Sequence, residues 1–171
     1  MSDKNEIMRE TIINWGLPDA LCEKYNVDFK FDDEVFNKDK TKGERGYYCK
    51  DGEVKFCLYD NELKQVLFSM EFFKRGSKLS ELTNKKVIIL ELLYVHEEEL
   101  RKKGIASYYL DKLIDYAISE NMDYIQITAN ANAKNFKNDR KKNALNQKEL
   151  EEFYKNKSTP KMPIKLLKHT L

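Results

Sequence analysis

Between Lys86 and Ala117 the chain changes character twice within a few residues, and this constrains the fold more than any other feature. Residues 86–95 read Lys-Val-Ile-Ile-Leu-Glu-Leu-Leu-Tyr-Val, an almost continuously apolar run. Such a run suits a central strand covered on both faces. A polar turn over 96–104 follows and ends in Arg101-Lys102-Lys103-Gly104. Ala106, Leu110, Leu113 and Ala117 then share one stripe at helical spacing, with Tyr109 and Ile114 beside them. Asn121 marks a helix stop, and Tyr124 to Thr128 reads as a short strand. Strand, helix and strand in that order form a β-α-β unit, whose two strands run parallel.

The junction between strand and helix has a chemical consequence. Backbone N–H groups in the first turn of a helix have no partners within the helix, and the helix dipole places partial positive charge beside them. Together they attract anions, phosphates above all. Gly104 can take a dihedral closed to other residues and lets a ligand approach the backbone. Arg101, Lys102 and Lys103 add formal positive charge. A phosphate or diphosphate could therefore dock on this turn. The bland alternative is a basic helix start with no ligand.

The segment resembles the GNAT superfamily of acyl-CoA-dependent N-acetyltransferases. The family motif, Gln/Arg-x-x-Gly-x-Gly/Ala after a strand that often ends in Leu-x-Val, is matched by Arg101-Lys102-Lys103-Gly104-Ile105-Ala106 after Leu93-Tyr94-Val95. The resemblance covers roughly residues 86–157. It implies that acetyl-CoA is the acyl donor. Its pyrophosphate would lie on the N–H groups of Lys102 to Ser107, and its pantetheine arm would bond the backbone of Leu93 and Val95, where two parallel strands splay apart. The amide near Tyr94 or Val95 would polarise the thioester carbonyl. A bulge near such a site would fit, because bulges re-aim groups beside active sites. Two catalytic candidates follow from the same resemblance. Glu91, on the strand, would take the proton of the amine, directly or through water. Tyr154, in Glu152-Phe153-Tyr154-Lys155, would give a proton to the departing thiolate. The chain departs from the family pattern in a one-residue-longer spacing from Val95 to Arg101. It also has Ser158-Thr159-Pro160 where Gly-Phe often follows the tyrosine. Glu91 can equally be a strand-edge charge, Tyr154 a packed helix tyrosine, and His96 either a loop histidine or an aid to proton relay.

The remaining pattern suggests a single α/β domain over 1–171, with an acceptor-side half over 1–85 and an acyl-CoA-binding core over 86–157. We expect a mixed, mostly antiparallel sheet of six or seven strands, flanked by helices, with one splayed parallel pair. Residues 6–14 and 19–25 are helical in spacing, separated by Trp15-Gly16-Leu17-Pro18. Val27, Phe29 and Phe31 alternate as in a strand, and 53–59 with 65–73 form a hairpin. Gly76 to Asn84 reads as a loop. Asn146 and Glu149 form a capping-box pattern before a helix bearing Leu150, Phe153 and Tyr154, and Ile164, Leu166 and Leu167 suggest a last strand.

Composition excludes several classes. Thirty-one Lys+Arg against twenty-nine Asp+Glu give a net charge of +2, too balanced to argue for nucleic acid as a partner. The basic stretch 134–142 suits a solvated loop, a contact to the 3′-phosphate of coenzyme A, or an anionic partner; only Phe136 supplies an aromatic there. Three cysteines without CxxC spacing and two histidines give no disulfide framework and no metal cluster. The N-terminus is polar and no apolar run can span a bilayer, so a cytoplasmic protein without membrane contact is expected. The resemblance implies a primary amine on a small molecule or a peptide as acceptor, which the sequence does not identify, and Asp32, Asp33 and Glu34 could give it an acidic pocket. Homodimers are common in the family. Two other classes stay open: a non-catalytic CoA-binding regulatory domain and a nucleic-acid-associated interaction domain.

Overall fold

The computed structural model describes residues 4–31, 46–128 and 146–167. The elements run α1 (Lys4–Asn14), α2 (Asp19–Cys22), β1 (Val27–Lys30), β2 (Tyr48–Lys50), β3 (Glu53–Asp60), β4 (Gln65–Lys74), α3 (Ser77–Thr83), β5 (Val87–Val95), α4 (Ile105–Ser119), β6 (Tyr124–Thr128), α5 (Gln147–Lys157) and β7 (Ile164–Leu167). They build a seven-stranded mixed sheet in the order β1-β3-β4-β5-β6-β7, with β2 also paired to β3. The pairs up to β4–β5 are antiparallel. Both β5–β6 and β6–β7 are parallel. The sheet thus has two parallel pairs where one was expected, because α5 returns the chain to the same end of the sheet that α4 does.

Two right-handed crossovers that step in the same direction across a sheet leave their helices on one face. The core lies between that face and the helices. Phe56, Phe68, Met70, Phe72, Ile88, Leu90, Ile125 and Ile127 from the sheet meet Ile12 of α1, Leu110 and Leu113 of α4, and Tyr154 of α5. Strand pairing aligns these residues: Phe56 opposes Met70, Phe72 opposes Leu90, and Leu90 opposes Ile127. Alternation then sends Ser69 and Glu71 of β4 to the opposite face.

The start of α4 is fixed from the N-terminal end of the chain. The hydroxyl of Tyr109 donates to the Gly16 carbonyl at 2.8 Å, and that of Tyr108 donates to the Trp15 carbonyl. Gly16 has φ +75°, and a Cβ there would lie 3.4 Å from the Tyr108 hydroxyl, so a side chain would be strained and crowded. Asn146 caps α5, its side chain accepting from the Glu149 amide at 2.8 Å, and Lys157 pairs with Asp111 of α4 at 2.9 Å.

Two short elements differ from the sequence reading. Residues 77–83 form a helix, not a loop, and none of its residues is buried. Without an apolar stripe it leaves no periodic signal. Strand β2 spans three residues, too few to show alternation. The acidic group 32–34 and the basic stretch 134–142 lie outside the described residues.

Candidate acyl-CoA site

Strand β5 is paired with β6 at Val87↔Tyr124, Ile88↔Ile125, Ile89↔Gln126 and Leu90↔Ile127, the last such pair among the described residues, five residues before Val95. On the other side β5 stays paired to β4 up to Phe68↔Val95. Leu90 opposes Phe72 and Leu92 opposes Glu71, so Glu91 is the extra residue of a β-bulge.

The bulge decides which backbone groups turn toward β4 and which toward the β6 side. Before it, Val87 accepts from Arg75 of the β4 side at 2.8 Å. After it, His96 donates to the Leu67 carbonyl at 2.9 Å. Odd residues therefore face β4 before the bulge and even residues after it. In antiparallel pairing both backbone groups of a residue point the same way. Leu93 and Val95 consequently direct theirs away from β4, to the side on which β6 lies. Tyr94 directs its amide to β4, so of the two candidate amides only that of Val95 faces the β6 side.

Side chains follow the same shift. Leu93 and Val95 pack on the core. Glu91 does not share their face, as plain alternation suggests; it is exposed and lies near Glu71. Removal of water from its carboxyl and the like charge of Glu71 both raise its pKa above the ordinary value.

The turn after β5 is held by Arg101, which is 7% exposed. Its Nε donates to the Val95 carbonyl at 3.0 Å, and one terminal nitrogen donates to the Tyr94 hydroxyl at 2.9 Å and the His96 carbonyl at 3.4 Å. The guanidinium also lies 5.4 Å from the centre of the Tyr94 ring. Arg101 therefore joins the strand end to the turn. Of the three basic residues, Lys102 and Lys103 are the exposed ones.

Lys102 has φ 63° and Gly104 φ 84°, two left-handed residues that re-aim the chain into α4. The first bond of that helix runs from Tyr108 N–H to the Gly104 carbonyl at 2.9 Å. The amides of Ile105, Ala106 and Ser107 thus precede the helical ladder. Gly104 provides no side-chain cap, and the first turn holds no acidic residue to compete for an anion. Among the described residues, its two chain neighbours aside, no atom lies within 4 Å of a Cβ placed on Gly104. Open space, uncapped amides and two exposed lysines suit a phosphate group.

Tyr154 sits at the inner side of α5, 5% exposed, with its ring against Phe153 at 5.2 Å. Burial pushes its phenol up, so it holds its proton throughout the neutral range. Glu91 and Tyr154 lie on opposite sides of the sheet.

Sequence reasoning missed the contacts of Ser69, Tyr47 and Tyr48. His96 Nε2 lies 2.8 Å from Ser69 Oγ, and Ser69 Oγ lies 2.7 Å from the Tyr47 hydroxyl. Tyr48 donates to Glu71 Oε1 at 2.6 Å. No local motif signals these contacts, since strand pairing alone brings them together. Among the described residues no cluster of metal-ligating side chains occurs, and no helix is long and apolar enough to cross a membrane.

Comparison with known proteins bears on the same segment. Residues 70–137 match the family model described as the acetyltransferase (GNAT) family. One solved structure, described as a probable acetyltransferase, is 20% identical with a TM-score of 0.37; the match covers 48% of this chain and spans 52% of that one. An integron cassette protein from the mobile metagenome of V. cholerae is 18% identical with a TM-score of 0.40, over 61% of this chain and 76% of that one. No curated protein matches. From β4 through the basic turn and α4 to residue 137, the chain is a match to the GNAT acetyltransferase family.

Proposed function

We propose that this chain moves an acetyl group from acetyl-CoA to a primary amine, the whole chain acting as one domain whose first 85 residues form the acceptor wall. One observation carries the reading. Past Leu90↔Ile127 no β6 partner of β5 stands among the described residues, and β5 leads through two left-handed residues into a helix start without a side-chain cap. A thioester arm could pair with the strand edge while its diphosphate meets the helix amides.

The chemistry asks little else of the chain. An alkylamine is protonated near neutrality, with a pKa of about 10.4, and must lose a proton before its nitrogen attacks the carbonyl carbon. A C–N bond forms, the C–S bond breaks, and the sulfur leaves as a thiolate. Glu91, whose raised pKa makes it a better base than an ordinary carboxylate, would take the amine proton directly or through water. The Val95 amide would stabilise charge on the carbonyl oxygen. Tyr154, kept protonated by burial, would offer its hydroxyl to the thiolate. Holding both reactants along one strand edge supplies a further part of the rate.

Calorimetric titration with acetyl-CoA tests the reading, followed by thioester turnover with a panel of amines. Micromolar binding that Gly104→Glu abolishes, with turnover on at least one amine, supports it. Binding without turnover on any amine would favour a regulatory CoA-binding domain. A folded wild type that does not bind would end the acyltransferase reading.

A further inference from the structure

The backbone around Val95 is held from two directions. On the β4 side, Tyr94 opposes Ser69, Val95 opposes Phe68, and His96 donates its N–H to the Leu67 carbonyl at 2.9 Å. On the other side, the Val95 carbonyl accepts from Arg101 Nε at 3.0 Å. The guanidinium is fixed in turn. It is buried, and one terminal nitrogen donates to the Tyr94 hydroxyl at 2.9 Å and to the His96 carbonyl at 3.4 Å. It also lies 5.4 Å from the centre of the Tyr94 ring, and that ring meets the edge of the His96 ring at 4.8 Å. Residues 94 to 96 thus close on themselves through Arg101. The side chain of Tyr94 holds the guanidinium that holds the carbonyls of the two residues after it.

We propose that Tyr94 and Arg101 are positioning residues for the Val95 amide, the donor that would polarise the thioester carbonyl. The inference rests on the acyltransferase reading and deepens it. A donor of this kind works by pointing where charge develops and by staying in place when it does. Val95 is the last residue of β5, and element ends open at the lowest cost. Arg101 opposes that opening. The N–H and carbonyl of one residue lie on the same side of an antiparallel strand, so a grip on the carbonyl also fixes the tilt of the amide. The same bond has an electrostatic effect. A bare carbonyl dipole beside the amide would repel an oxygen on which negative charge grows. A guanidinium on that carbonyl replaces the repulsion with a positive field. Tyr94 supplies the one side-chain anchor of the fork, beside two backbone acceptors. Neither side chain is required to touch the substrate.

Carbon NMR of acetyl-CoA labelled at the thioester carbonyl tests this without any amine. On the wild type the bound signal should lie downfield of the free one, as polarisation of the carbonyl requires. At saturating acetyl-CoA, Tyr94→Phe should bring it back toward the free position. Arg101→Lys should bring it back at least as far, and serves as the second variant where Tyr94→Phe does not fold. Tyr124→Phe is the matched control. Its hydroxyl accepts from Arg75 at 3.5 Å, beside the first residue of β5, so its loss should leave the bound signal in place. With the best amine of the panel, Tyr94→Phe should lower kcat by about tenfold, less than the roughly hundred-fold that loss of a whole oxyanion donor costs. Its affinity for acetyl-CoA should stay that of the wild type. A Tyr94→Phe signal at the wild-type position overturns the inference, whatever its kcat. So does a Tyr124→Phe signal that moves as far, or a bound wild-type signal that is not displaced from the free one. Failure of the wild type to bind acetyl-CoA is a separate result and counts against the parent reading.

Discussion

Arg101 Nε donates to the Val95 carbonyl oxygen at 3.0 Å, across the turn that separates them. This bond makes the end of β5 and the start of the basic turn one unit. A motif residue that sequence presents as a phosphate cation is, in the folded chain, a buried clamp. The two exposed lysines beside it are the residues whose charge reaches solvent.

Arg101→Lys keeps the charge and loses the planar fork that serves three acceptors. Hydrogen bonds to charged groups contribute about 1.5–3 kcal/mol. Urea unfolding of this variant should show a loss of about that size, and acetyl-CoA binding should weaken with it. Lys102→Gln with Lys103→Gln should stay within about 0.5 kcal/mol of wild-type stability and weaken acetyl-CoA binding by an amount that shrinks in high salt. The reverse pattern would reassign Arg101 to the ligand.

Gly104 separates strain from charge. At φ 84° any side chain costs about 1–2 kcal/mol, yet open space surrounds the position. Gly104→Ala and Gly104→Glu should therefore lose similar stability by denaturant unfolding. Only the glutamate variant should lose acetyl-CoA binding altogether, because its carboxylate competes for the amides of α4. Equal binding by the two variants would remove the diphosphate from this turn.

Glu91 links folding to pH. Its folded pKa is raised, first by loss of water around the carboxyl and then by Glu71. The folded state therefore favours the protonated form. The stability it contributes is full below the ordinary carboxylate pKa and is lost as pH rises through the raised value. Glu91→Gln should slightly stabilise the protein at neutral pH and not at low pH, while lowering turnover. Glu71→Gln should bring the Glu91 pKa only part of the way back, since burial is the larger cause; carboxyl-carbon NMR titration reads this directly.

Tyr154→Phe should leave acetyl-CoA binding unchanged and lower kcat. The phenol is buried and its pKa is pushed up, so no limb of the rate profile below pH ~10, the ordinary tyrosine value, should belong to it. Steady-state kinetics across that range check both points. A kcat equal to wild type would make Tyr154 a core residue only.

Much of the fold was legible because local pattern and global packing agree there. The apolar run 87–95, the stripe through Leu110 and Leu113, the capping box at Asn146 and the short strand 124–128 all form as their periodicity indicates. The helix 77–83 was hidden because it buries nothing, and its one signal is Asn84, which ends it at φ 53°. The second parallel pair was hidden because strand neighbours depend on where α5 brings the chain back, which no spacing encodes.

At the candidate site the sequence by itself determined the basic turn and the helix start after it. A glycine that can take positive φ, followed at once by an amphipathic helix, dictates uncapped amides wherever the chain folds. Tertiary structure decided the rest. The bulge at Glu91 exists only because β5 pairs with β4 out of simple step, and it reverses the face of every later residue. That reversal turns the backbone of Val95 away from β4 and places His96 on Ser69. It also keeps Glu91 off the face that Leu93 and Val95 share, because side-chain direction in a strand is a property of its pairing, not of its residue number.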